Sequence, residues 1–195
     1  MFEPTTVLHG FRVRLEPLAA THEAGLRTAA ADGELWHLVY ASVPEPPDTA
    51  AYIAQAHGMP DSLPFAVIDE TDGSVLGSTR FYHINRSARR AEIGYTWYAA
   101  RCQQTHVNTV CKYLMLSYAF ETADCLTVGW RTDGINIRSQ AAIERLGAKK
   151  DGVLRGFQVR RDGSVRDTVM YSMTASEWAD GAKARLAAKL PFQAA

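Results

Sequence analysis

Residues 101–120 read RCQQTHVNTVCKYLMLSYAF, a polar, glutamine-rich turn that runs straight into an apolar-periodic segment. Val107, Val110, Cys111, Leu114, Met115 and Tyr118 follow i, i+3, i+4, i+7 spacing, which predicts a helix over 107–121 with one buried face. A helix N-terminus offers unpaired amides and a partial positive charge, so the turn before it suits an anion. Close backbone approach to a phosphate commonly uses glycine, yet this chain places His106 there.

Working outward, AEIGYTWYA upstream reads as a strand, and its interior Gly94 marks a bulge or a close backbone approach. Downstream, CLTVGW, starting at Asp124 or Cys125, has the short apolar run of a strand buried on both faces. Glu92–Tyr98, the helix and Cys125–Trp130 therefore make a central βαβ unit. Asn136 and Ser139 follow at the start of a short helix, beside the C-terminal strand ends where open α/β sheets bind ligands.

The flanks extend this pattern. FRVRLEPL alternates Phe11, Val13 and Leu15 with charged residues, as a half-buried strand does. TAAYIAQAH reads as a helix capped by Asp48 or Thr49. Phe65–Ile68 and Val75–Ile84 form strands around DETDGS, and a last hairpin turns at Asp162-Gly163. The order β-α-α-β-β-β-α-β-α-β-β gives an α+β (αβα) fold, a mixed sheet of about seven strands with helices on both sides. No linker divides the chain, so residues 1–195 form a single domain, with a core of about 10–178 and a C-terminal helical extension over 179–195.

Hydrophobic residues at 47% and charged residues at 22% exclude disorder as the main state. Twenty-one basic residues balance 21 acidic ones, so the chain lacks the electrostatic footprint of a nucleic-acid or membrane-surface binder. Arg155, Arg160, Arg161 and Arg166 cluster near the last turn, as a solvated hairpin edge or a recognition surface for an acidic partner. Arg86, Arg89 and Arg90 make a second such cluster. Cys102, Cys111 and Cys125 have no disulfide or zinc spacing, and the histidines show no ligand spacing, so no metal is expected. Free thiols, no secretory signal and no membrane-length apolar run point to the cytoplasm.

With these elements placed, the chain resembles the GCN5-related N-acetyltransferases (GNAT), most closely the RimJ/RimL-like branch of ribosomal-protein N-terminal acetyltransferases. LGSTRFYHI, AEIGYTWY, THVNTVCKYLMLSYAFE, RTDGINIRSQAAIERLGA and RDTVMYSM carry the resemblance. It implies a mostly antiparallel sheet splayed open between two central parallel strands. It also implies acetyl-CoA as cofactor, its pantetheine arm pairing with backbone around Ile93, Gly94, Tyr95 and Thr96. The pyrophosphate would rest on Gln103, Gln104, Thr105, His106, Val107 and Asn108, with Asn136 and Ser139 close by.

The same resemblance implies an N-acetyltransferase in which a primary amine attacks the thioester directly, in a ternary complex. Three positions depart from the family. His106 replaces a glycine and would be strained if the backbone there needed positive φ, although its ring could instead contact a phosphate. Ile143 replaces the tyrosine that protonates the departing thiolate. Gln158 replaces a glutamate base, leaving Glu92 as the best carboxylate to deprotonate the amine through water. Ser139 is either the group that hydrogen-bonds the CoA sulfur or a helix N-cap. Trp36, Tyr40, Tyr82, Tyr95 and Trp97 are core residues, one or two of which could line the acceptor. The acceptor is a protein or peptide N-terminus or a small amine, and an edge-strand or tail-mediated homodimer fits the pattern. Two other readings stay open. One is an acyltransferase for an amino acid, polyamine or antibiotic; the other is a CoA-binding protein with little catalysis.

Overall fold

The computed structural model describes residues 2–191. Met1 and the last four residues of the expected C-terminal extension lie outside them. The chain runs β1 (Leu8–Gly10), β2 (Val13–Pro17), α1 (Glu23–Ala31), α2 (Thr49–Gly58), β3 (Leu63–Asp69), β4 (Val75–Asn85) and β5 (Arg90–Tyr98). It continues with α3 (Val107–Ser117), β6 (Thr127–Asp133), α4 (Ile137–Arg145), β7 (Lys149–Val159), β8 (Val165–Thr174), α5 (Ala175–Glu177) and α6 (Lys183–Ala187).

One sheet holds eight strands in the order β1-β2-β3-β4-β5-β6-β8-β7. Every neighbouring pair is antiparallel except β5 and β6. The strand beyond the seven expected is β1, which the sequence hides because Phe11 (φ 54°) and Arg12 (φ 61°) turn the chain between β1 and β2. Phe11 thus leaves the alternation of Val13 and Leu15 and packs edge-on against Tyr113. Nor does β6 start at Asp124 or Cys125. Asp124 takes φ 60° in a turn and its carboxylate pairs with Arg89, so the strand begins at Thr127.

Neighbouring residues of β4 show that helices cover both faces. Thr79 touches the Met115 sulfur of α3, whereas the Arg80 guanidinium lies over the Tyr52 ring of α2. Side chains alternate across a strand, so α2 and α3 pack on opposite faces. Buried residues of α3 are Val107, Val110, Cys111, Lys112, Met115 and Leu116, wider than the single stripe expected, because α6 covers a second side. Leu114 is only partly buried. Past 117 the helix widens into a π turn over Tyr118–Thr122. In the C-terminal segment, Trp178, Ala182 and Leu186 join the main core, and the Trp178 indole donates to Glu121 at 2.8 Å. No helix among the described residues is long and apolar enough to cross a membrane.

Candidate functional site

The parallel seam between β5 and β6 is short. Arg90, Ala91 and Glu92 pair with Thr127, Val128 and Gly129, and no further pairs follow. What turns β5 away is a bulge. Arg80 pairs with Gly94 and Ser78 with Trp97, so Thr79 alone faces both Tyr95 and Thr96. The left-handed conformation falls on Tyr95 (φ 50°), one residue after the glycine that signals it. Gly94 is required for space: a Cβ there would sit 2.7 Å from a Tyr82 ring carbon. A wedge therefore opens from Ile93 onward, lined on one side by backbone groups that β6 does not reach.

On the α3 face, two helix N-termini bracket this wedge. The first intrahelical bond of α3 runs from the Val110 amide to the His106 carbonyl, so the amides of Val107, Asn108 and Thr109 precede it. Only a long 3.4 Å contact, to the Thr105 hydroxyl, is made by the Val107 amide. His106 is unstrained (φ −70°, ψ −18°) and exposed; the positive φ in this loop belongs to Gln104, at 60°. The Gln103 side-chain oxygen, Oε1, accepts from Arg138 of α4 at 2.7 Å, tying loop to helix. Arg138 was not singled out from sequence.

At α4 the two readings of Ser139 separate. Asn136 is the N-cap, its side chain accepting from the Ser139 amide at 3.0 Å. The Ser139 hydroxyl is therefore not needed for capping.

Glu92 lies at the closed end of the wedge on the α2 face and is 3% exposed. Arg131 Nη2 donates to Glu92 Oε1 at 2.8 Å. Arg131 Nε comes within 2.7 Å of Oε2 but is poorly aligned, so Oε2 has no aligned donor. His83 Nδ1 is 3.8 Å from that oxygen and 3.0 Å from Arg131 Nη2, which can only donate, so Nδ1 is the acceptor. Burial, and then the Glu92 charge, push the Tyr82 hydroxyl well above the ordinary phenol range. Tyr82 and Trp97 are buried, Tyr95 stacks on Arg80, and Tyr40 lines a cavity beyond Glu92. Cys111 is fully buried, and its thiol is pushed up to about 11 by that burial.

Two buried cations flank the bulge and escaped the sequence reading. Lys112 donates to Thr96 at 2.9 Å and Thr79 at 3.3 Å on the α3 face. Arg80 is 0% exposed on the α2 face, its nitrogens without hydrogen-bond partners, 4.2 Å from the Tyr95 ring centroid and 5.3 Å from that of Tyr52. The only available signal was a charged residue inside an otherwise apolar run.

Comparison with known proteins bears on the whole arrangement. The family model described as "Acetyltransferase (GNAT) domain" matches residues 12–149. Over 114 residues the chain is 33% identical to "Putative ribosomal N-acetyltransferase YdaF" of Bacillus subtilis, a match spanning 55% of this chain and 57% of that relative's length. A crystal structure described as that of a "putative acetyltransferase", from T. thermophilus, is 34% identical, with a TM-score of 0.84 over 98% of this chain and all of that one. "Mycobacterium smegmatis RimJ in complex with CoA-disulfide" shares the fold at 20% identity, with a TM-score of 0.76 over 94% of this chain and 92% of that one.

Proposed function

The chain belongs to the GNAT acetyltransferase family, and on that premise we propose that it is an acetyl-CoA-dependent N-acetyltransferase acting on a primary amine. The observation that carries this reading is the wedge: a three-pair seam, a bulge, and two helix N-termini meeting on one face. The backbone of Ile93, Gly94, Tyr95 and Thr96 offers donors and acceptors to the amide groups of a pantetheine chain. Within residues 103–108, Gln103 and Thr105 donate their amides to the Ala100 and Cys102 carbonyls, while the amides of Val107 and Asn108, ahead of the first helical bond, are offered to a pyrophosphate, assisted by Arg138. Acetyl-CoA supplies an activated acyl group when bound.

The protein's own part is placement and proton transfer. Amides of the Ile93–Tyr95 segment polarise the thioester carbonyl. Holding amine and thioester together converts their encounter into an intramolecular step. The amine arrives as an ammonium and needs a base; Glu92 Oε2, which lacks an aligned donor, takes the proton through a water. Ser139 hydrogen-bonds the sulfur as the thiolate departs, and Asn136 holds the helix that presents it. Cys102, Cys111 and Cys125 are free and buried, which suits a reducing cytoplasm.

Release of free thiol from acetyl-CoA on adding peptide or small-molecule amines tests the reading. Glu92→Gln should lower kcat by about 10²-fold or more, with coenzyme affinity retained. No thiol release with any amine, despite a raised Tm with CoA, would leave a binding protein instead.

A further inference from the structure

Beyond Arg131 on β6 lies an open cavity of about 410 Å³, lined by the 39–42 segment, the end of β6 and the β7–β8 hairpin. Three guanidiniums line it, from Arg160, Arg161 and Arg166, against one carboxylate, that of Asp133. Arg160 holds that carboxylate by both oxygens. Its Nε donates to Oδ2 at 2.7 Å and its Nη2 to Oδ1 at 2.8 Å, while the Ile135 amide also donates to Oδ1. This pairing, first of all the Arg160 hydrogen bonds, holds Asp133 below the usual carboxylate range. Arg166 is left 3.8 Å from Oδ2, its Nε buried and without a hydrogen-bond partner. Arg161 donates only to the neutral carbonyls of Trp36 and Leu38. Asp162 and Asp167 are the nearest other acids, but each binds the hairpin's own backbone, at Ser164 and Gly156, and neither lines the cavity. Three guanidiniums thus share one carboxylate, which leaves Arg161 and Arg166 facing the space with charge that Asp133, already held by Arg160, does not balance. The cluster divides: the Arg160 side chain is 9% exposed and that of Arg166 23%, whereas Arg155 and Arg161 are exposed, as on a solvated hairpin edge.

Position adds a length. Asp133 lies two residues beyond Arg131, hence on the same face, about 7 Å further along the strand. Arg131 holds Glu92. A molecule with its amine at Glu92 therefore reaches the two guanidiniums about two residues further on, since an extended chain advances about 3.5 Å per residue. Guanidinium forks match carboxylates, and Tyr40, Ser42 and Gln158 add neutral partners.

We propose that this cavity binds a carboxylate of the acceptor, making the substrate an acidic peptide N-terminus with its acid within the first three residues. The proposal rests on the acetyltransferase reading for what happens to the amine, not for the binding itself.

Titration calorimetry of the CoA-saturated protein separates the two. The probes are the peptide amides Ala-Asp-Ala and Ala-Ala-Asp, their Asn counterparts, and Ala-phosphoserine-Ala, with thiol release measured in parallel. At least one acidic peptide should bind about tenfold more tightly than its Asn counterpart. In Arg161→Gln/Arg166→Gln that preference should vanish, while the Asn peptides bind as before. Equal affinity for acidic and neutral peptides overturns the proposal, as does a preference that survives in the double variant. A tenfold preference for phosphoserine over both acids overturns the carboxylate assignment. Preference in binding without thiol release supports this site and refutes acetyl transfer.

Discussion

Lys112 and Arg80 occupy matching places on opposite faces of the same bulge, each buried and neither touching a carboxylate. The α3 face meets its cation with two threonine hydroxyls; the α2 face meets its own with two aromatic rings. The difference follows from the two side chains. Burial pushes the Lys112 ammonium down to about 8, so it can shed its charge near physiological pH. A guanidinium stays charged, and its flat face suits a stack between Tyr52 and Tyr95. One cation is a tolerated cost, the other a packed element.

Substitution breaks the comparison if that account is wrong. Arg80→Ala should be the most damaging change, because it empties a fully enclosed space between two rings: about 2–4 kcal/mol, read from urea midpoints. Lys112→Met should act oppositely. The ammonium titrates near 8 folded and near 10.5 unfolded. Its penalty is therefore full below pH 8, fades as pH rises through 10.5, and is gone above that, where both states are neutral. At pH 7 the variant should gain up to about 3 kcal/mol, and the gap to wild type should close above pH 10.5. Loss of stability in both variants would mean that both cations are simply packed.

Smaller effects sharpen the contrast on the α3 face, where backbone does the work. Asn136→Ala should cost about 1 kcal/mol, a Tm drop of about 2–4 °C, whereas Ser139→Ala should leave Tm unchanged and slow thiol release. Equal Tm losses would return Ser139 to a capping role. Smallest of all, Gln104→Gly should be neutral to stabilising by about 0.5–1 kcal/mol, since φ is positive there. His106→Gly relieves no strain; a fall in CoA affinity would then mark the imidazole as a phosphate contact.

The same division governs what the sequence discloses. The helix over 107–117, the interior glycine of β5 and the Asn136–Ser139 pair lie within local stretches whose periodicity and capping residues carry their meaning. Even there, the strain expected at His106 sits at Gln104, because loop dihedrals depend on where the helix begins. The α2 face is assembled from distant segments. Tyr40, Asp133 and Arg166 meet only through strand register, and Arg160 reads as a hairpin-edge arginine until Asp133 is placed beside it. Strand β1 was hidden for a related reason: only three residues long, it is defined by its partner β2 more than by its own composition.

The three-pair seam has a further consequence, for aggregation. Beyond Glu92 the sheet carries an unpaired strand edge in its interior, the kind of surface that usually recruits other chains. Here the opening tapers to nothing at Glu92 and Gly129, so a second polypeptide, with a side chain at every residue, cannot be laid along its full length. A slender ligand with few branches can. The taper therefore favours a slender guest over the kind that would nucleate a fibre, and protection of the Ile93–Thr96 amides from hydrogen exchange on adding CoA would test whether CoA is that guest.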